Sequence, residues 1–422
     1  MSLKKYAHFA APLVLLTLVC FGSSAMAASR PQDSAAPKHK TAARLTPLRY
    51  FGVSENMIFS DDPVQSQNVA RLGKAAGFNL WRANRYIQLT GAPVNSNNTP
   101  LDSVQLCNAA QALVGAGIKT LMLTYMPTSS YGYPQGRTFN STDGKKKTDY
   151  DELNDDIDAD LSVLYGVPPL KGCTYGSDGQ PALAVWVQPG NEMNIGNTFC
   201  SPQNDTDHLA CAQYAALMQA SVYTYVKGTE VPKFGMPITV VGASVASHHT
   251  PWLYLRQYKH KMNVLTHCVC MDVFDFHAYA QQGSCVQTSG VNMYKGLVIN
   301  VRATFGKDLP IIYGEWAVQT LMLNSQGYLS YEGANCLVVN ENQQLAAWQQ
   351  VIPVVQTQAV LGIITEHLCD EQDLLNGFQS GLYTYDCGRP KQTETGIAQL
   401  IHNSRIQDTP AGNTPQGPPS GP

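Results

Sequence analysis

Ala75-Ala76-Gly77-Phe78-Asn79 runs into Leu80-Trp81-Arg82, and Ala116-Gly117-Ile118-Lys119 runs into Thr120-Leu121-Met122-Leu123-Thr124. In both places helix-forming residues stop at a glycine, which takes the left-handed conformation that ends a helix, and an apolar, β-rich run follows at once. The same kind of run recurs at Tyr50-Phe51-Gly52-Val53, 182–187, Ile238-Thr239-Val240-Val241-Gly242, Val273-Phe274-Asp275-Phe276-His277, 309–313 and Leu361-Gly362-Ile363-Ile364. Helix-like windows at 65–76, 101–116, 209–226, 343–357 and 395–402 separate most of these eight runs. Strand alternating with helix eight times predicts an α/β fold of parallel βαβ units, a single-domain (β/α)8 TIM barrel. A doubly wound open sheet is the rival, but the glycine-rich first turn of its nucleotide-binding form is missing.

Outward from this core, the two ends read differently. Lys4-Lys5, an apolar run from Phe9 to Phe21 and Ala25-Met26-Ala27 together predict a cleaved signal peptide over 1–27, hence a secreted or periplasmic protein. Residues 28–46 read as a flexible leader and 408–422 as a disordered Pro/Gly-rich tail, leaving 47–407 as one catalytic domain. No apolar run reaches the roughly 20 residues of a bilayer span, so no membrane span is expected. The 422 residues are 44% hydrophobic and 14% charged, enough for a large core, and the net charge of -3 with a single basic run, Lys145-Lys146-Lys147, argues against a nucleic-acid partner. Oligomeric state is not legible.

Cys20 falls in the signal and ten cysteines follow it, an even number that in an exported chain favours disulfides. Cys200 with Cys211 and Cys369 with Cys387 are close enough to staple loops. Zinc is the rival reading for His267-Cys268-Val269-Cys270, but its one-residue gap departs from structural zinc spacing, and no metal or other cofactor is expected.

In a barrel the side chains at the carboxyl ends of strands share one pocket. Glu192, in Gln188-Pro189-Gly190-Asn191-Glu192, ends the fourth run, and Glu315, in Ile312-Tyr313-Gly314-Glu315-Trp316, ends the seventh. A carboxylate just past a buried strand is costly unless it is hydrogen-bonded or open to a cleft, which suits a general acid or a nucleophile.

Taken in order, these motifs resemble clan A of the retaining glycoside hydrolases, the cellulase, mannanase and β-xylosidase-like barrels. The resemblance implies that Glu192 is the acid/base, Glu315 the nucleophile, and Asn191 the partner of the sugar 2-hydroxyl. Arg82 resembles the arginine that steadies the nucleophile, and His277 with Tyr279 the His-x-Tyr that ends strand six. The sequence departs from the clan pattern at strand three, which ends Thr124-Tyr125-Met126, and at strand eight, which ends Thr365-Glu366-His367-Leu368 where a tryptophan platform is common. Trp316 or Trp81 is then a candidate sugar platform, with packing the commoner use of either, and Glu366 a candidate for binding polar groups of the substrate or a cation. Tyr131, Tyr133 and Phe139 lie in a polar stretch from 126 to about 161 that reads as an insertion on the pocket rim.

The expected function is a secreted retaining β-glycosidase acting on a poly- or oligosaccharide by double displacement, with carbohydrate as its partner. The alternatives are a catalytically inactive carbohydrate-binding barrel and a hydrolase using a metal near His248, His249 and Asp272.

Overall fold

All eight apolar runs become strands of one parallel sheet. The computed structural model describes residues 45–87, 102–127, 136–140, 145–167, 170–194, 205–246, 251–277, 288–316, 341–370, 381–391 and 393–405. All of them fall in the compact unit Arg44–Pro422. The signal, most of the leader and the tail lie outside the described residues.

The chain passes through β1 (Tyr50–Ser54), α1 (Pro63–Ala75), β2 (Leu80–Ile87), α2 (Ser103–Ala116) and β3 (Thr120–Pro127). A small antiparallel hairpin of β4 (Thr138–Asn140) and β5 (Lys146–Thr148) leads into α3 (Asp149–Tyr165). Then come β6 (Ala184–Gln188), α4 (Asp205–Tyr225), the short α5 (Val231–Phe234), β7 (Thr239–Val240), β8 (Val245–Ala246) and α6 (Pro251–Thr266). The last elements are β9 (Phe274–His277), α7 (Thr288–Phe305), β10 (Ile311–Trp316), α8 (Glu341–Gln356), β11 (Gly362–Glu366) and α9 (Glu394–Ser404).

Local chemistry sets the helix ends. Asp62 accepts the Val64 N–H ahead of Pro63 at the start of α1, and Asp102 with Gln105 forms a capping box on α2. Gly117 closes α2 at φ 73°.

The sheet runs β7-β6-β3-β2-β1-β11-β10-β9-β8. Its outermost strands, β7 and β8, are consecutive in the chain. Between them Val241 N donates to Val187 O and Gly242 N to Val273 O, each at 2.8 Å. Residues 239–246 therefore bond to both ends of the curled sheet.

Strand alternation sorts the side chains into two apolar sets. Leu80, Met122, Trp186, Val241, Val273, Ile312 and Ile364, with Tyr50 against them, pack together on the inner face. Phe51, Trp81, Leu123, Val187, Phe274, Tyr313 and Trp316 belong to the larger core shared with the helices.

Two sequence expectations change here. The stretch from 126 to 161 is not a plain loop, because the hairpin and most of α3 occupy its described part. α3 is polar at its start, with a Thr148–Asp151 capping box, and buries Leu153, Ile157, Leu161 and Leu164. Trp316 does not face the pocket. β10 carries a register shift between Tyr313 and Glu315, after which Glu315 pairs with His277 on the inner face and Trp316 turns outward. There Trp316 meets Trp348 of α8 edge-on, with ring centroids 4.7 Å apart.

Cys369 pairs with Cys387 as expected, Cys107 pairs with Cys173, and Cys268 pairs with Cys270, so these last two thiols are bonded to each other. Cys211 is also in a disulfide, while Cys200 lies outside the described residues. Among the described residues no helix is long and apolar enough to cross a membrane.

Candidate active site

Arg82 stands on the inner face of β2, with no solvent exposure. Its Nη1 donates to Glu315 Oε1 at 2.5 Å and to Ser54 Oγ at 3.1 Å, and its Nη2 donates to Asn191 Oδ1 at 2.7 Å. One planar guanidinium thus ties together the ends of β1 and β10 and the loop after β6, a task for which its fixed fork of donors is suited.

Glu192 lies in that loop at φ 47°, a left-handed conformation uncommon for a residue with a Cβ. Ser244, between β7 and β8, holds it there: its Oγ accepts the Glu192 N–H at 2.8 Å and in turn donates to Asn191 Oδ1 at 3.1 Å.

His277 joins the two glutamates. Its Nδ1 is 3.1 Å from Glu192 Oε1 and 3.1 Å from Glu315 Oε2, while its Nε2 is 3.4 Å from Asp275 Oδ2. Burial alone would drive the ring neutral, but the carboxylates of Glu315, Asp275 and Glu192 outweigh it and raise the His277 pKa well above the usual histidine value.

Sequence reasoning missed the layer beneath. Gln188, fully buried at the end of β6, accepts from Thr124 Oγ1 at 2.7 Å and from Arg82 Nε at 3.4 Å, and donates to Gly242 O at 3.1 Å and to Asp275. Asp275 was visible as a polar residue inside the run from Val273 to His277, but nothing in the pattern gave it a role.

Beside Glu315 a cavity of about 380 Å³ opens, with Ser54, Asn84, Glu366, His367 and Tyr385 on its wall. Glu366 Oε1 is 3.5 Å from His367 Nε2. Burial, opposed by the hydrogen bond to His367 and reinforced by the charges of Glu315 and Glu192, raises the Glu366 pKa above the usual carboxyl range. Of the sequence candidates, Arg82, Asn191, Glu192, His277 and Glu315 are therefore brought together, with Glu366 on the adjoining wall. Trp316 is not among them, and Tyr279 lies outside the described residues, as do His248 and His249.

Glu192, His277 and Glu315 each place one possible ligand atom within 4.8 Å of the others. In this group Glu315 is already paired with the Arg82 guanidinium, and we assign it no ion. Asp272, the other metal candidate, is paired with Lys227 at 2.7 Å.

No family model matches the chain, and no curated protein does. Solved structures do resemble it. A GH5_18 from Bifidobacterium longum subsp. infantis has a TM-score of 0.51 at 14% identity, over 87% of this chain and 82% of that one. A calcium-binding mutant of Bacteroides uniformis beta-glucuronidase 2 has a TM-score of 0.51 at 11% identity, over 84% of this chain and 34% of the other. An exo-beta-1,4-mannosidase from Opitutaceae bacterium strain TAV5 has a TM-score of 0.48 at 12% identity, and the chain spans 60% of its length. At such identities the likeness is one of fold, and the fold resembles that of clan A glycoside hydrolases.

Proposed function

We propose that residues 47–407 form a closed (β/α)8 barrel that hydrolyses β-glycosidic bonds of a poly- or oligosaccharide with retention of configuration, in a protein exported by the signal at 1–27. Closure is supported by the bonding of residues 239–246 to both ends of the sheet, and by the inner apolar set, to which every strand position contributes. The observation that carries the reading is the shared ring nitrogen: an oxygen of Glu192 and an oxygen of Glu315 both lie 3.1 Å from His277 Nδ1.

That spacing favours double displacement. Oxygens of the two carboxylates lie within 4.8 Å of one another. Retaining glycosidases hold their carboxyls about 5–5.5 Å apart, whereas inverting ones leave roughly 6.5–9.5 Å for a water. Glu315, kept ionised by Arg82, attacks the anomeric carbon as Glu192 protonates the departing oxygen. Glu192 then takes a proton from water as that water displaces Glu315. Asn191, fixed through its Oδ1 by Arg82 and Ser244, faces the sugar 2-hydroxyl.

Initial rates on a panel of aryl β-glycosides, compared with those of Glu315→Ala, test this. Turnover by the wild type that the variant lacks supports the glycosidase. Glycan binding without turnover by either would favour the inactive carbohydrate-binding barrel.

A further inference from the structure

Asp275 is fully buried on β9, two residues before His277. Its Oδ2 accepts a hydrogen bond from Gln188 Nε2 and lies 3.4 Å from His277 Nε2, within ion-pair distance but without a formed hydrogen bond, while its Oδ1 meets no donor among the described residues. The bulge on β10 makes room for it: a Cβ on Gly314 would lie 1.9 Å from Asp275 Oδ1. A buried carboxylate with an oxygen left unbonded is a costly group to keep. An asparagine would fill the same volume without the charge. What the charge adds is a counterion on the side of the His277 ring that faces away from the glutamates.

We propose that Asp275 is a positioning residue, the counterion on the far side of the His277 ring that fixes its orientation so that its Nδ1 lies between Glu192 and Glu315. The charged groups around the ring are Asp275 on β9, Glu315 on β10 and Glu192 after β6, with Arg82 of β2 against Glu315. On the glycosidase reading this placement has a use. While Glu315 is ionised and Glu192 still holds its proton, the Nδ1–H is held chiefly by the Glu315 carboxylate. When the bond from Glu315 to the anomeric carbon forms, Glu315 loses its charge and becomes a weak acceptor. The N–H then turns to Glu192, which has just given its proton to the leaving oxygen and must stay ionised to take one from water. No proton leaves His277 in either step, and Asp275 is what keeps both in place.

The test is the protonation state of His277, read by ¹⁵N NMR of histidine-labelled full chain against His277→Gln for assignment. This readout does not depend on turnover. In the wild type the ring is expected to remain an imidazolium well above neutral pH, and in Asp275→Asn its titration should fall by about one to three pH units. In parallel the alkaline limb of kcat should move to lower pH in Asp275→Asn, with KM changed no more than about twofold. A neutral His277 in the wild type at pH 7 overturns the proposal even if the variant fails to fold, and so does an unchanged titration in a folded variant. If the titration shifts as expected but the wild type hydrolyses no glycoside, the glycosidase reading fails while the role of Asp275 toward His277 stands.

Discussion

Arg82 Nη1 and Glu315 Oε1 meet at 2.5 Å although 233 residues separate them in the chain. Both side chains are almost wholly shielded from water, so the pair cannot be opened cheaply. Removing the guanidinium takes from a buried carboxylate its closest counterion and leaves His277 beside it, and breaking comparable buried pairs costs about 3–5 kcal/mol. Arg82→Ala should therefore lower both the denaturant midpoint and turnover. Arg82→Lys should restore part of the stability but little of the turnover, because one ammonium cannot span Ser54, Asn191 and Glu315 as the fork does. Equilibrium unfolding and initial rates on the same samples check both statements, and full turnover in the lysine variant would remove Arg82 from the catalytic geometry.

Gly314 makes a second, steric prediction. Its Cα lies against the Asp275 carboxyl, so Gly314→Ala would set a methyl group where that carboxyl now sits. The strand must shift or Asp275 must move, and overpacking of this kind costs typically about 1–3 kcal/mol. Because Glu315 follows directly, kcat should fall more steeply than stability alone accounts for. Activity measured well below the melting temperature separates the two effects.

Asp156 on α3 gives a pH dependence that does not involve the site. Burial, then the charge of Asp160, against the opposing pull of Arg85, pushes its carboxyl up to about 7. The folded chain therefore keeps this proton over a range in which the unfolded chain, with an ordinary aspartate near 4, has lost it. Stability must then fall as pH rises from about 4 to about 7 and level off above. Asp156→Asn removes that slope. The gain in Tm should be near zero at pH 4 and largest at pH 8, and a gain of equal size at both would locate its cause elsewhere.

The eight strand positions were legible because each is a short apolar run, and Glu192 and Glu315 because each ends one. The hairpin Thr138–Asn140 with Lys146–Thr148 and the start of α3 were not, since their polar residues give no period to read. α6 and α7 were also passed over. Trp316 was misassigned for a different reason. Simple alternation from Ile312 puts residue 316 on the inner face, and only the bulge at Gly314, set by backbone pairing with β9, reverses it. Gln188 and Asp275 sit within strands, where a polar residue looks incidental until its partners on other strands are known.

Glu192 should show its role through the leaving group. General acid catalysis contributes typically about 10²–10⁴-fold, but only where the departing oxygen is basic enough to need a proton. Glu192→Ala should therefore retain most of its first-step rate on dinitrophenyl glycosides and lose it on alkyl glycosides or oligosaccharides. A plot of log(kcat/KM) against leaving-group pKa is expected to steepen in the variant. A parallel downward displacement with unchanged slope would mean a damaged pocket instead of a missing acid.

The stereochemistry of the first product bears most directly on Glu315. An oxygen of its carboxylate lies within 4.8 Å of one from Glu192, and on the proposed double displacement that proximity is the shorter separation of a retaining pair. Proton NMR during early turnover of a β-glycoside should therefore show the β-anomer first, with the α-anomer arising by mutarotation. An initial α-anomer rules out double displacement. Glu315→Ala should abolish hydrolysis while leaving space beneath the anomeric carbon, within reach of Arg82. Azide, small and anionic, fits that space and should restore turnover on an activated aryl glycoside, giving the α-glycosyl azide. Recovery of the β-azide instead would place the nucleophile on another residue, because azide would then be intercepting a covalent intermediate that still forms without Glu315.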